Sequence, residues 1–379
     1  NCNPELRFPP IDNGCIGYPF QHNPGAVDPE GDSLSFSIIP CSGEDGNYIP
    51  GYLDPNLAPN LQGNLSIDQF GTIVWDSPMF IGKYNICILI EEYRSGTLIG
   101  SVIRDMQITI AECPINEPPL ISLNQNICVT AGDSVNELIY VTDPNEEDWL
   151  SLSSEGEVYD FNTSPAVFDS TEGYTPLESI FSWQTECSHI RKNDYDIYFK
   201  AFDNRGTRGL SDFKTMEIQV VAPAPKNLTA NPQGNNIFLN WDNSICSNAS
   251  CYQVFRKIDS LGYKPEECIT GVPEETGYEL ITTIEGHERS EFLDSNNETG
   301  LTYGVKYCYM VVACFEDGSE SYPTTEICTQ LKRDVPIITR VSINTTDLTN
   351  GNDTVTWSAP TELDTIEWPG PYSYKIYRE

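Results

Sequence analysis

The feature of this chain that most constrains its fold is an internal repeat with a period of about 110 residues. Residues 27–34 (VDPEGDSL) match residues 141–150 (VTDPNEEDWL), since each ends an apolar run, turns on acidic residues and starts another run. Residues 106–110 (MQITI) match residues 216–220 (MEIQV), and both alternate apolar with polar side chains. This alternation predicts strands with one buried face, and about 100 residues is the usual size of one β-sandwich.

A second kind of repeat begins near residue 224, where Trp241 and then Tyr252 recur as Trp357 and then Tyr374. Gly and Pro number 27 each and Met only 4, a balance that favours strands and turns over helices. We therefore predict an all-β chain of tandem Ig-like β-sandwich modules. The predicted modules are residues 1–114, 115–223, 224–333 and 334–379, the last of them truncated, with Pro-rich and therefore stiff linkers near 114–119 and 222–226.

Both kinds of repeat resemble known extracellular modules. Trp241, Tyr252 and the six-residue step from Leu301 to Tyr307, which is the spacing of a tyrosine corner, resemble fibronectin type III modules. Residues 28–32 (DPEGD), residues 82–86 (GKYNI) and, in the second copy, residues 201–204 (AFDN) resemble cadherin-like and dystroglycan-type modules of bacterial surface proteins.

The ensemble resembles the large surface proteins of Bacteroidota, of the gliding-motility-associated or type IX secreted kind. This resemblance implies the outer surface of a Gram-negative bacterium. We interpret the chain as a fragment of a longer polypeptide, because it stops inside the strand-like run of residues 374–379.

Two acidic turns are candidate calcium sites, because hard cations take several carboxylate and carbonyl oxygens from a turn. The predicted ligands are Asp28, Glu30 and Asp32 in the first module, and Asp143, Asn145 and Asp148 in the second. In cadherin-like modules a later Asp closes the site. That resemblance gives Asp203 this role in the second module, whereas the first has Tyr93 there, with Glu91 and Glu92 nearby.

Calcium, if bound, would have an affinity on the order of 10⁻⁴ to 10⁻³ M and would stiffen the joints between modules. The alternative is that Asp, Asn, Gly and Pro simply build these turns.

Thirteen cysteines, none in a C-x-x-C pair, predict disulfides and export rather than a zinc site. In the first module we predict Cys15–Cys41 and Cys87–Cys113, and in the second Cys128–Cys187. In the third, Tyr252 and Tyr307 should face the core, which turns Cys251 and Cys308 outward on neighbouring strands. We therefore predict Cys251–Cys308 and Cys314–Cys328. The count is odd, and Cys2 is the candidate for pairing outside the chain.

The formal net charge of −35 should repel nucleic acid and anionic lipid. It is compatible with cation binding, or with solubility alone. No stretch has the pattern of a transmembrane helix or signal peptide, so we expect no membrane insertion.

Catalytic patterns are sparse. The three histidines lie outside any H-E-x-x-H, and no G-x-S-x-G occurs, so we predict no enzymatic activity. Four tryptophans stand at repeat positions and are predicted core: Trp75, Trp183, Trp241 and Trp357. Trp149 and the run of residues 368–372 fit no repeat position. They could stack on a sugar or a partner, or pack within loops.

Three functions are compatible with these patterns. The first is a non-enzymatic surface protein acting as an adhesin, a stalk or a filament component. The second is a set of accessory modules of a larger secreted hydrolase, and the third is carbohydrate binding by the modules themselves. The expected partners are other surface proteins, glycans or copies of the chain, and calcium is the one expected cofactor.

Overall fold

The computed structural model describes residues 3–43, 46–47, 49–52, 56, 63–113, 115–204, 209–303, 305–331, 336–347, 349–360 and 369–377. The chain divides into two compact units, Asn1–Val221 and Ala222–Glu379. The predicted all-β chain of Ig-like sandwiches is confirmed, whereas the module boundaries remain predictions. In the described part of the chain, no helix is both long and apolar enough to span a bilayer.

The first sandwich packs the four-stranded sheet β2-β9-β8-β5 against the three-stranded sheet β3-β7-β6, with a small β1-β4 ladder beside them. Alternate residues of β8, Ile86, Ile88 and Ile90, are fully buried and pack with Trp75 from the facing sheet. Its strands are β1 Glu5–Leu6, β2 Ile11–Cys15, β3 Phe20–His22, β4 Ala26–Val27, β5 Ser33–Ile39, β6 Leu65–Ile67, β7 Ile73–Trp75, β8 Gly82–Arg94 and β9 Thr97–Ala111.

The second sandwich packs the sheet β10-β12-β16-β14 against the larger sheet β11-β18-β17-β13-β15. Its strands are β10 Leu120–Ser122, β11 Asn126–Thr130, β12 Ser134–Thr142, β13 Trp149–Glu155, β14 Val167–Phe168, β15 Thr171–Tyr174, β16 Leu177–Gln184, β17 Tyr195–Asp203 and β18 Ser211–Val221. Two short 3-10 helices lie between strands of this sandwich, Glu157–Tyr159 between β13 and β14 and Cys187–His189 between β16 and β17. Trp183 is 1% exposed, so its predicted core position is confirmed.

These two sandwiches belong to one compact unit because an apolar contact joins them. Phe8 and Val27 of the first pack on Tyr198 and Phe213, which face outward from the larger sheet of the second. The Phe8 and Phe213 rings meet edge to face at 5.5 Å, and the Tyr198 hydroxyl donates to the Ala26 carbonyl at 2.9 Å. Burying these rings favours side-by-side packing over independent modules on a stiff linker.

The third sandwich has the sheets β19-β20-β23 and β22-β21-β24-β25. Trp241 and Tyr252 are buried in its core, and the Tyr307 hydroxyl accepts the Thr302 N–H at 3.0 Å, as a tyrosine corner requires. Its strands are β19 Thr229–Gln233, β20 Asn236–Asn240, β21 Cys251–Ile258, β22 Glu279–Glu285, β23 Glu291–Asp294, β24 Lys306–Cys314 and β25 Ile327–Gln330, with a 3-10 helix at Glu274–Thr276.

After it come β26 Ile337–Thr345 and β27 Asn352–Ser358, which pair antiparallel. Trp357 is 39% exposed, so the prediction that it is a core residue was wrong. In the described part of residues 336–377 the strands are β26 and β27 alone, and one two-stranded sheet leaves a side of the indole uncovered.

The first sandwich forms disulfides at the four predicted cysteines but with other partners. Cys15 bonds to Cys113, and Cys41 bonds to Cys87, so the predicted Cys15–Cys41 and Cys87–Cys113 pairs were wrong. The reason is sheet order: β2 lies beside β9 and β5 beside β8, so each bond joins cysteines at neighbouring strands. One disulfide is therefore nested inside the other along the chain.

In the third sandwich the register decides the pairing. Because β21 and β24 are antiparallel, the first residue of β21, Cys251, lies opposite the last residue of β24, Cys314, and bonds to it. Cys308 lies opposite Cys328 and bonds to it, so both predicted pairs were wrong. Cys308 is also fully buried rather than outward, because the segment carrying Tyr278 covers that face of the sheet.

Four further cysteines are disulfide-bonded: Cys128, Cys187, Cys246 and Cys268. The last two had not been predicted. Cys2 lies outside the described residues, so its pairing outside the chain stays a prediction.

Candidate functional site

The strongest candidate site is a buried group of carboxylates at one end of the second sandwich, called here the Asp143 cluster. Asp143 follows β12, Asp148 precedes β13, and Asp203 is the last residue of β17. Asp203 is opposite Leu150 in the ladder, which brings it to the β12–β13 turn. One carboxylate oxygen from each lies within 4.8 Å of the others, and each residue is at most 5% exposed. Carboxylate oxygens that converge in this way are ligands that a hard cation takes from a turn.

Asn116, from the segment before β10, completes the Asp143 cluster. It is 1% exposed, and its Nδ2 donates to both carboxylate oxygens of Asp203 at 3.0 and 2.9 Å. Its Oδ1 is buried without a hydrogen-bond partner among the described residues. An amide oxygen is a calcium ligand, and rotating this amide would present it to a cation held by the carboxylates. The donor set, all oxygen, therefore fits Ca²⁺ better than a softer metal.

Asn145, predicted as a ligand, has another contact in the structure. Its N–H donates to Asp143 Oδ1 at 2.7 Å, and its Oδ1 accepts the Glu117 N–H at 2.8 Å. Asn145 thus ties the turn to the segment that carries Asn116, and its role as a metal ligand stays a prediction.

The repeat in the first sandwich folds the same kind of turn, called here the Asp28 cluster. Asp28 Oδ1 accepts the N–H groups of Glu30 and Asp32 at 2.9 and 3.0 Å, as Asp143 does for Asn145. Its Oδ2 is buried without a hydrogen-bond partner in the described part of the chain. The sequence match between the two turns therefore reflects one local conformation.

Glu92, and not Tyr93, closes the Asp28 cluster. Glu92 is fully buried, and one of its carboxylate oxygens lies within 4.8 Å of a carboxylate oxygen of each of Asp28, Glu30 and Asp32. Glu92 continues the inward-facing alternation of Ile86, Ile88 and Ile90 along β8, and the β8–β9 ladder shifts register just after it, between Glu92 and Tyr93. Opposite it, a Cβ on Gly100 would lie 2.8 Å from Glu92 Oε2, so glycine leaves the room that this carboxylate occupies. Burial, with the charges of Asp28 and Asp32, raises the pKa of Glu92.

The Asp28 cluster already contains a cation. Arg94 donates from Nε to Asp32 at 2.8 Å and from its terminal nitrogen to Glu30 at 2.8 Å. The hydrogen bond from Arg94 lowers the pKa of Asp32 despite some desolvation. A guanidinium in this place supplies positive charge where Ca²⁺ was predicted, so calcium fits the Asp28 cluster poorly.

A third acidic group lines a cleft of about 400 Å³ between the first and second sandwiches. Asp196 and Glu217 face each other across β17 and β18, and Glu157 and Asp194 lie on the same cleft. Burial raises the pKa of Asp196 to about 7, helped by the charge of Glu217 and opposed by that of Arg191. Arg191 pairs with Glu157 at 2.6 Å.

The three histidines are held by contacts that serve the fold. His22 Nδ1 lies 2.9 Å from Asp12 Oδ2, and His22 is 1% exposed. Burial raises the pKa of Asp12, but the His22 hydrogen bond and the charge of Lys200 outweigh it and leave that pKa below its ordinary value. His189 Nδ1 accepts the Glu186 N–H at 3.0 Å, and His287 Nε2 lies 2.8 Å from the Ser244 carbonyl oxygen.

No protein-family model and no curated protein matches the chain. Among solved structures, domains A168–A170 of titin align with 86% of this chain and 97% of their own length, at 12% identity and a TM-score of 0.24. The sialic acid binding region of a Streptococcus sanguinis SK1 adhesin aligns with 65% of this chain and 94% of its own length, at 10% identity and a TM-score of 0.23. Two fibronectin type III domains of chicken tenascin align with 56% of this chain and 98% of their own length, at 12% identity and a TM-score of 0.28. Scores this low carry no weight for function.

Proposed function

We propose that this chain is a non-enzymatic extracellular spacer, a stalk or adhesin segment built to transmit force between its ends. One observation carries the proposal: disulfides join neighbouring strands of the first and third sandwiches, so that neither can be drawn out to its full length. The apolar contact between the first two sandwiches supports the same role, since it opposes their separation.

The absence of catalysis is part of the proposal. Its support is that His22, His189 and His287 each hold a contact within the fold, as described above. An extracellular location is what twelve disulfide-bonded cysteines indicate, because such bonds persist in oxidising surroundings. The resemblance of the modules to Bacteroidota surface proteins supports placing the chain on the outer surface of such a cell, among surface proteins, glycans or its own copies.

Stretching single molecules tests the spacer proposal. Cys15 and Cys113 are 98 residues apart, and the inner Cys41–Cys87 bond spans 46 of these. In the Cys15→Ser/Cys113→Ser variant the remaining 52 residues become extensible, which should add about 180 Å to the length on unfolding. Optical-tweezer traces without reductant measure this length.

The nested arrangement supplies a matched control. The Cys41→Ser/Cys87→Ser variant keeps the outer bond and should extend no further than the unmodified chain. An unmodified chain that already releases the full length of the first sandwich would overturn the proposal, because no disulfide would then limit its extension.

We further propose that the Asp143 cluster holds Ca²⁺. Three buried carboxylates and the Asn116 amide converge from a turn, a strand end and the segment before β10, so one ion would fasten these elements together. The expected affinity, on the order of 10⁻⁴ M, suits a calcium-rich exterior.

Calcium should therefore raise the melting temperature of the N-terminal unit. At a calcium concentration about 100-fold above the dissociation constant, binding adds about 2.7 kcal/mol to the free energy of unfolding. For a unit of this size, that raises the melting temperature by several degrees. Differential scanning calorimetry in calcium and in EGTA measures the shift. Asp203→Asn and Asp148→Asn should each abolish most of it.

The matched control is Asp32→Asn at the Asp28 cluster, where Arg94 supplies the charge and the shift should persist. Equal shifts in Asp203→Asn, Asp148→Asn and the unmodified chain would remove calcium from the Asp143 cluster.

A further inference from the structure

An exposed aromatic pair stands at the edge of the larger sheet of the second sandwich. Trp149 begins β13, and Tyr174 ends the edge strand β15 directly opposite it. Their neighbours Leu150 and Gly173 face the core, so both rings project from the outer face. Trp149 is 43% exposed and Tyr174 is 61% exposed. By contrast, Trp75, Trp183 and Trp241 are each at most 2% exposed.

The pair has a fixed geometry. The two rings lie 5.1 Å apart at 86°, so they form a corner and not a flat surface. Trp149 Nε1 donates to Glu172 Oε2 at 3.3 Å, and Glu172 lies two residues before Tyr174 on the same face. This hydrogen bond and the edge contact with Tyr174 favour one orientation of the indole, which lowers the entropic cost of ordering it on binding. We call Trp149, Glu172 and Tyr174 the aromatic corner.

The size of the aromatic corner points to a small ligand. From the usual area of such rings, the exposed part of the pair amounts to roughly 200 Å². A stable protein interface needs about 800 Å² per partner, which this surface does not approach. A single pyranose ring, with one apolar C–H face and a rim of hydroxyls, matches it in area.

Chemistry narrows the class further. The negative face of the indole attracts the C–H groups of a sugar, and the Glu172 carboxylate can accept hydrogen bonds from the hydroxyls of that sugar. Ser151, opposite Glu172 in the ladder, adds a hydroxyl on the same face, which donates to the Phe202 carbonyl and can accept a hydrogen bond from a sugar. Acidic sugars are disfavoured, because Glu172 and the net charge of −35 repel them. We propose that the aromatic corner binds one or two rings of a neutral glycan.

Titration of the full chain with neutral and acidic oligosaccharides tests the proposal. The probes are cellohexaose, laminarihexaose, mannohexaose and, as the acidic counterpart, a hyaluronan hexamer, followed by saturation-transfer NMR. At least one neutral probe should bind, and hyaluronan should bind more weakly. Trp149→Ala and Tyr174→Ala should each weaken binding about tenfold or more, and Glu172→Gln by a smaller factor. Tyr174→Ala guards against a folding defect, because its ring is mostly in solvent.

Tyr377→Ala is the matched control, since Tyr377 is 83% exposed in the C-terminal unit and should leave binding unchanged. Each titration is repeated in EGTA with the Trp149→Ala variant beside the unmodified chain, because Asp148 of the Asp143 cluster directly precedes Trp149. Calcium-dependent binding that is equal in both chains would assign the sugar to the metal and overturn the proposal. So would unaltered binding in the Trp149→Ala/Tyr174→Ala double variant, or no binding of any neutral probe at millimolar concentration.

Discussion

Replacing Cys15 and Cys113 together with serine is expected to lower the free energy of unfolding of the N-terminal unit by about 4 kcal/mol. The bond closes a long loop in the unfolded chain, and removing it returns the conformational entropy of the residues outside the inner disulfide. Denaturant unfolding followed by tryptophan fluorescence measures the loss, because Trp75 and Trp183 are buried in this unit.

The control for this experiment is Cys308→Ser/Cys328→Ser, which lies in the C-terminal unit and should leave the unfolding of the N-terminal unit unchanged. A loss of less than about 1 kcal/mol for the Cys15→Ser/Cys113→Ser variant would show that this disulfide does little to hold the first sandwich together.

Replacing Asp196 with asparagine is expected to stabilise the N-terminal unit at pH 8 by about 2–4 kcal/mol. Burial and the charge of Glu217 raise the pKa of Asp196 from 3.8 to about 7, so the ionised carboxylate is unfavourable in the folded protein. Between these two values the folded state binds more protons than the unfolded state. The unmodified unit should therefore lose stability as the pH rises from about 4 to 7 and level off above that.

Unfolding in urea at pH 5, 6, 7 and 8, with EGTA present throughout, measures this dependence. The Asp196→Asn variant should show a flatter profile and should gain most at the highest pH. Asp133→Asn removes the same charge from an exposed turn of the same sandwich and should change little. A variant less stable than the unmodified chain at pH 8 would mean that the Asp196 carboxylate makes favourable contacts as an anion.

The sequence could predict those features that depend on local pattern. Alternating apolar residues predicted the strands, and the acidic repeats predicted two turns with the same backbone hydrogen bond to Asp28 and to Asp143. Asp203 was identified through the cadherin-like resemblance, and the structure brings it together with Asp143 and Asp148. The strands and turns needed only neighbouring residues and a repeat period, whereas Asp203 needed the resemblance to a known family.

Glu92 was missed because aligning the two repeats placed Tyr93 at the position of Asp203, although Glu92 lies on the same buried face of β8 as Ile86, Ile88 and Ile90. The disulfide pairings failed because they depend on the register between distant strands. The disulfides follow which strands are neighbours and which of their residues lie opposite each other, a property of topology and not of spacing along the chain. Asn116 was missed because an amide in a Pro-rich segment has no periodic signal, although its position just before β10 places it beside the β12–β13 turn.

Disulfide mapping on the native chain tests the central claim most directly. Intact cells that produce the protein are treated with two membrane-impermeant reagents, one that reacts with thiols and one that reacts with amines. They are then quenched in acid, and the protein is digested without reductant for mass spectrometry. We predict peptides joined through Cys15–Cys113, Cys41–Cys87, Cys251–Cys314 and Cys308–Cys328, and we predict that the same protein carries the amine label. The same cysteines recovered as free thiols from chain shielded inside the cell would contradict an extracellular, disulfide-clamped spacer.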